Sequence, residues 1–430
     1  MKPKTIFFLA LFILSALTYS CKDPNGGDDT TPTYTDEDVA ILWQRNIVTD
    51  SLFVSSLPLK ISGDKLIYAS ALDFEYVSTP RHGIAVYDKL TGDFAQDWPV
   101  SECGLATLTS EPINDFTIAG NNNDLLVFVD EEKYQAYTLS GQQHLWTYSE
   151  ASTWPMNFVN PIGKDVLVGI AMEGYNSYGS IGRLISENGQ FEMFQTFDGV
   201  SEHDMNCLPM SVAYTVNSNL DTLLLYTFLY WDYTAMDFWL VANCYNLTQR
   251  KVEWQKENFT TNEDPKNFLP IIHNNLVIFC CTHSMHCLDI NTGEVVWQKY
   301  FSNDNLTYTP PLLDNGRLYI QTYTGKYYCL NIENGAEIWK KVYYYCPASV
   351  SQMAIYNGLI FCTGNKVYDH DLLAISTTTG EIVWKFSSPN YDFRGGVTID
   401  PATGLLYCTT FNKILCIDIK NIVGDRKSVV

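Results

Sequence analysis

The sequence predicts an all-β protein, an eight-bladed β-propeller of four-stranded antiparallel blades closed by its N-terminal strand. Three observations carry this. A ten-residue phrase returns along the chain, clearest as LDINTGEVVW at 288–297, LNIENGAEIW at 330–339 and ISTTTGEIVW at 375–384. The tryptophans that end the phrase, with Phe194 standing in once, fall at 43, 98, 146, 194, 254, 297, 339 and 384, at intervals of 42 to 60 residues. A period of 40–50 residues with room for four short strands is the mark of a propeller blade. The last turn, CIDIKN at 416–421, stops before its tryptophan strand, whereas AILWQRN at 40–46 has Trp43 and no turn before it. The two ends of the chain therefore complete one blade, which hides an edge strand that would otherwise stay open.

Each element of the phrase has a local reason. Glycine in Thr292-Gly293 enters positive φ without steric cost, and the Asp, Asn and Thr before it can bond nearby backbone. One unit reads whole between Thr309 and Tyr345. TPPLLDNG is its first strand and turn, RLYIQTYTG the second, KYYCLNIENG the third and AEIWKKVYY the fourth. Weaker copies are VYDKLTGDFAQDW (86–98), YTLSGQQHLW (137–146), LISENGQFEMF (184–194) and YNLTQRKVEW (245–254). Seven blades would follow only if the Phe194 unit were not a true blade.

The chain of 430 residues is rich in apolar and aromatic residues and poor in charge, which suits a large buried β core. Its net charge of −21 (27 basic against 48 acidic residues) opposes phosphate backbones, so nucleic acid is not an expected partner. Residues 1–20 read as a signal peptide: Lys2 and Lys4, then the apolar run Ile6–Leu17, too short for a comfortable membrane span. The segment meets Ser20-Cys21 and turns polar, similar to a bacterial lipoprotein signal in which Cys21 is lipidated. Residues 21–36 then read as the acylated cysteine and a flexible tether, 37–423 as the propeller and 424–430 as a tail.

The phrase D-x-x-T-G-x-x-x-W resembles the repeat of the quinoprotein (PQQ-type) propeller family, over residues 40 to 421 and most clearly in the last four units. That family holds eight-bladed quinone-dependent dehydrogenases and non-catalytic envelope lipoproteins; the resemblance implies a fold more firmly than an activity. Its enzymes place a carboxylate base and a calcium ion beside the quinone, and no segment here matches those residues one by one. The reading is a non-enzymatic outer-membrane lipoprotein, a scaffold or binding module for a protein or glycan at the cell envelope, with no catalytic, cofactor or metal residues assigned. The alternative is a PQQ-dependent dehydrogenase with Ca²⁺.

Trp43, Trp98, Trp146, Trp254, Trp297, Trp339 and Trp384 recur at one place in every unit and read as packing between blades. Cys244, Cys287, Cys329 and Cys416 share one slot two residues before the turn, and Cys280, Cys362 and Cys408 share another; small buried apolar positions suit free cysteine. The run Cys280-Cys281-Thr282-His283-Ser284-Met285-His286-Cys287 is dense enough in Cys and His to suggest a soft metal, and its adjacent cysteines are similar to a disulfide that covers the quinone in some family enzymes. Symmetric pairing about His283-Ser284 would set Cys280 opposite Cys287. Glu202-His203-Asp204 reads as a solvated polar loop. The hairpins between second and third strands are long in units one, three, four and seven. There Tyr76, Tyr175, Tyr178, Trp231, Tyr233 and Tyr368 form the expected binding face, with Trp231 and Tyr233 exposed beside unit three.

Overall fold

The computed structural model describes residues 39–46, 57–71, 82–100, 113–172, 179–197, 205–232, 237–261, 263–343 and 352–424, with a few positions inside these spans left out, and also 33–34, 106, 108 and 109. Eight antiparallel sheets follow one another around a closed ring, each made of strands consecutive in sequence except at the chain ends. Blades 5 and 6 are the plainest. Blade 5 holds Ile271–His273, Leu276–Cys280, Ser284–Asp289 and Val295–Tyr300; blade 6 holds Leu312–Asp314, Arg317–Gln321, Lys326–Asn331 and Glu337–Val342. Their second strands are buried on both faces, because each sheet is covered by a blade on either side. The outer strand alternates instead: Trp339 and Lys341 turn inward while Ile338, Lys340 and Val342 face solvent.

Blade 8 joins the chain ends. Ile41–Asn46 pairs antiparallel with Lys413–Asp418, with Trp43 opposite Cys416, beside Leu405–Thr410 and Phe393–Asp400. Thr33–Tyr34, placed by sequence in the tether, instead pairs in parallel with Lys385 and Phe386 on the outer strand of blade 7, Ile382–Phe386.

The repeated phrase turns out to be a joint between neighbours. Asp289 Oδ1 accepts the amides of Asn291 (2.8 Å) and Thr292 (3.0 Å), and the Gly293 amide closes the turn on the Asp289 carbonyl. That exposes the Ile290 carbonyl, which takes the indole N–H of Trp254 from blade 4 at 2.6 Å. The same bond runs from Trp43 to Lys89, Trp146 to Ser186, Trp297 to Ile332 and Trp339 to Thr377. In each case the turn glycine of the next blade lies flat on the indole: a Cβ added to Gly92, Gly189, Gly293, Gly335 or Gly380 would stand 2.5 to 2.8 Å from its ring atoms. The cysteine slot follows from the same ring. Cys244, Cys287, Cys329 and Cys416 sit directly across the strand from Trp254, Trp297, Trp339 and Trp43, where a small side chain leaves room for the indole. Ala136 and Ala374 do the same before Trp146 and Trp384.

Three joints depart from the pattern. Phe194 replaces the tryptophan of blade 3, and the glycine slot facing it in blade 4 is held by Arg250, which keeps the positive φ of 53°. Trp384 of blade 7 meets no turn glycine; Tyr34 stacks on it at 5.9 Å, so the paired N-terminal segment covers that ring. Blade 1 is the least regular, with Phe94 and Ala95 bonding the outer edge of its sheet. Only Lys60–Ser62, Lys65–Ala71 and His82–Asp88 form its sheet among the described residues. Trp98 lies six residues beyond Gly92, two more than in the strong copies, and turns back to the Ile84 carbonyl of its own blade at 3.4 Å. Trp98 is nevertheless buried between blades 1 and 2, in one cluster with Ile67 and Ile84 of blade 1 and Phe116, Leu126 and Leu139 of blade 2, so this joint keeps its indole but not the bond to the neighbouring turn. A cleft of about 590 Å³ opens beside it, lined by Ile61, Lys65, Asn123 and Leu139 among others; a Cβ added to Gly141 in the turn of blade 2 would meet no atom within 4 Å, while the Gly141 backbone bonds Asp97.

Candidate functional site

Antiparallel blades send every second-to-third-strand hairpin and every crossing to the next blade toward one face of the ring. The bonds from Leu306 N to the Thr282 carbonyl and from Tyr323 N to the Asn305 carbonyl tie crossing to hairpin there.

Blade 4 dominates this face. Its second and third strands, Thr222–Asp232 and Asp237–Asn246, run 11 and 10 residues, against 5 and 6 in blade 5. The first strand follows in two pieces, Ala213–Val216 and then Met205–Pro209, the latter paired with Phe228 to Asp232. The outer strand, Lys251–Thr261, reaches Leu240 and Trp239. The result is a sheet raised beyond the ring rather than a loose loop. Two consecutive runs of aromatic and β-branched residues, YTFLYW and DFWLV, account for it, since such side chains favour the extended backbone. Tyr230 and Trp239 sit opposite each other and stack at 5.6 Å and 9° on the side of blade 3, both half-buried.

The predicted rim residues are only partly visible here. Tyr76, Tyr175, Tyr178, Tyr233 and Tyr368 lie outside the described residues, as do Cys21 and Glu202-His203-Asp204. The Trp231 backbone lies in the raised sheet, paired with Phe238; its side chain is outside the described part. The stack of Tyr230 on Trp239 is the aromatic feature that sequence reasoning passed over, although the cross-strand distance along the hairpin contained it.

The Cys/His run of blade 5 stands next to this sheet. Cys280 pairs with Met285, and Cys287 with Ile278, so the expected opposition of Cys280 and Cys287 is wrong. The turn is centred one residue earlier, because the Cys281 amide bonds the Ser284 carbonyl at 2.8 Å. The eight cysteines whose side chains are described are all buried and free. Burial drives their thiols up, to about 12 for Cys281 and Cys287 and about 11 for Cys329, which leaves them protonated and poor nucleophiles. His286 is buried and neutral, pushed down to about 4 by desolvation. Its Nε2 meets Ser284 Oγ at 2.7 Å, its Nδ1 meets Gln298 Nε2 at 3.0 Å, and Ser284 donates onward to Glu263.

Comparison with known proteins bears on the fold more than on these sites. Residues 282–421 match the family model described as outer membrane protein assembly factor BamB. No curated protein matches the chain. Among solved structures, BamB from Moraxella catarrhalis is 12% identical with a TM-score of 0.57, covering 89% of this chain and 98% of its own. A europium-containing methanol dehydrogenase is 10% identical at a TM-score of 0.60, covering 88% and 93%. The quinohemoprotein alcohol dehydrogenase of Comamonas testosteroni is 9% identical at 0.60, covering 89% and 76%. Likeness at this identity shows the ring fold alone.

Proposed function

We propose that this β-propeller of PQQ-type repeats works as a scaffold that holds a protein partner at the cell envelope, presented there by a lipid on Cys21. The observation that carries the reading is the raised sheet of blade 4. A blade needs only its four short strands to pack, whereas this one extends all four past the ring and sets a stacked Tyr230–Trp239 pair at the base of the added part. Ordered aromatic surface on a rigid support is what protein recognition uses, since little side-chain entropy is lost on contact. The family match over residues 282–421 supports an envelope setting.

The test immobilises the purified chain and captures partners from solubilised envelope. Trp231→Ala with Tyr233→Ala should reduce capture while leaving the melting temperature within a degree or two; equal capture by both forms would sink the reading. The quinone-dependent alternative is addressed by adding PQQ and Ca²⁺: retention of one quinone per chain with a raised melting temperature would favour it. Cys21→Ser should move the protein out of the membrane fraction if the lipid is its anchor.

A further inference from the structure

Blades 5 and 6 carry the same polar corner in two different forms, and the comparison points to a ligand. In blade 6 the corner is an ion pair. Asp304, on the crossing from blade 5, is buried and accepts from Thr324 Oγ1 at 2.7 Å and from Lys326 Nζ at 3.0 Å. In blade 5 the equivalent carboxylate is Glu263, on the crossing from blade 4. The turn Asp289 and Asn331 align the two blades, which places Ser284 where blade 6 has Lys326, Cys281 where it has Thr322 and His286 where it has Tyr328. The lysine is gone, and a thiol and an imidazole have come in around the carboxylate. No salt bridge to Glu263 is found among the described residues; its partner is the Ser284 hydroxyl.

We propose that a zinc ion takes the place of the missing lysine, bound by Glu263, Cys281 and His286. Their ligand atoms lie within 4.8 Å of one another, and binding requires side-chain rotation to draw them in to three corners of a tetrahedron around the metal. Cys281, Ser284 and His286 are buried, so the ion would sit in a closed site of the structural kind, with Ser284 Oγ or a water as the fourth ligand. A carboxylate, a thiolate and a neutral imidazole suit zinc better than calcium or magnesium, which favour oxygen alone.

Two further features belong to such a site. Gln298 lies behind His286, its amide nitrogen 3.0 Å from Nδ1; with that amide turned over, its oxygen would accept Nδ1–H once Nε2 holds the metal, the place from which a second group fixes a metal-bound imidazole. Thr260 Oγ1 is enclosed and has the Cys281 thiol as its polar neighbour, so the thiol side of the corner is polar. Coordination balances simply: the Cys281 S–H bond breaks, a Zn–S bond forms and the proton leaves to solvent. Zn²⁺ and its two anionic ligands sum to zero, so Lys266, whose charge also acts on Cys281, remains as one positive charge beside the site.

The test uses the purified chain, reduced and stripped of metal, titrated with Zn²⁺ against a chromophoric chelator and, separately, with Co²⁺. Wild type should take up one Zn²⁺ per chain, melt at a higher temperature when loaded, and give a thiolate-to-Co²⁺ charge-transfer band. Cys281→Ser should weaken binding by at least about 100-fold and abolish the band, and Gln298→Ala should weaken it by roughly 10- to 100-fold. Ser284→Lys should lose the metal while keeping the stability of the metal-free protein, because it rebuilds the ion pair of blade 6. Absence of uptake by wild type, or undiminished binding in both Cys281→Ser and Ser284→Lys, would overturn the proposal.

Discussion

Replacing Gly335 with alanine isolates what the joint between blades contributes. Gly335 has φ of 67° and lies on the indole of Trp297, so the new Cβ would stand 2.8 Å from two ring carbons. Two terms oppose the substitution. Holding an alanine in the left-handed region costs about 1–2 kcal/mol. Forcing the ring away adds about 1–3 kcal/mol of overpacking and strains the 2.8 Å bond from Trp297 to the Ile332 carbonyl. The total is roughly 2–5 kcal/mol. Gly141 is the control: its φ is 81°, yet nothing lies within 4 Å, so Gly141→Ala carries the backbone term alone. With an unfolding entropy of about 0.8 kcal/mol per degree for a domain of this size, calorimetry should show a drop of about 3–6 °C against 1–2 °C. In a Trp297→Ala background, itself costing ~3–5 kcal/mol, the Gly335 substitution should shrink to the size of the control. Equal losses at the two glycines, or no change in the Trp297→Ala background, would refute the account of the joint.

Removing residues 37–47 takes away the outer strand of blade 8 and the Trp43 joint, and should lower the melting temperature by more than any single Trp→Ala change; an unchanged temperature would mean the ring does not depend on that strand. The eight buried thiols should resist a thiol reagent at neutral pH until the protein is denatured, with counts before and after denaturation as the measure. Those thiols also set an alkaline limit. Unfolded cysteine ionises near pH ~8.5 whereas the folded thiols are held higher, so their contribution is complete below that pH and is lost as pH rises. The melting temperature should therefore hold steady to about pH 8 and fall beyond about pH 9.

The ring was legible because one phrase does two jobs in every unit. The Asp, Gly and Trp of LDINTGEVVW close a turn and reach the neighbouring blade, so each copy reports both a strand order and an interface. What escaped reading had lost one of the two. In blade 1 two extra residues between Gly92 and Trp98 turn the indole inward, and that effect needs the third dimension to be seen. Phe194 in the tryptophan slot and Arg250 in the following glycine slot are both visible in the sequence: a smaller ring tolerates a side chain where the larger one demands glycine. The turn of Cys281–Ser284 was misplaced by one residue because symmetry between cysteines was used in place of backbone bonding. The corner of Glu263, Cys281 and His286 is legible in part: the Cys280–Cys287 run holds two of its members, whereas Glu263 comes from a crossing that no spacing along the chain ties to them.

The joint between blades 1 and 2 has a consequence for how the ring comes apart. Seven joints seat a ring on the neighbour's turn or on a stand-in for it; at the eighth Trp98 is packed between the blades without that seat, beside a cleft and Lys60, which is bonded to the Phe116 carbonyl and lies 3.9 Å from Asp115. A closed necklace parts at its thinnest link. Breathing should begin there, with the amides of Asp115–Ala119 exchanging with solvent before those of Arg317–Gln321 in blade 6. The same boundary is where a relocated pair of chain ends would disturb the molecule least, with the present ends tied together through blade 8.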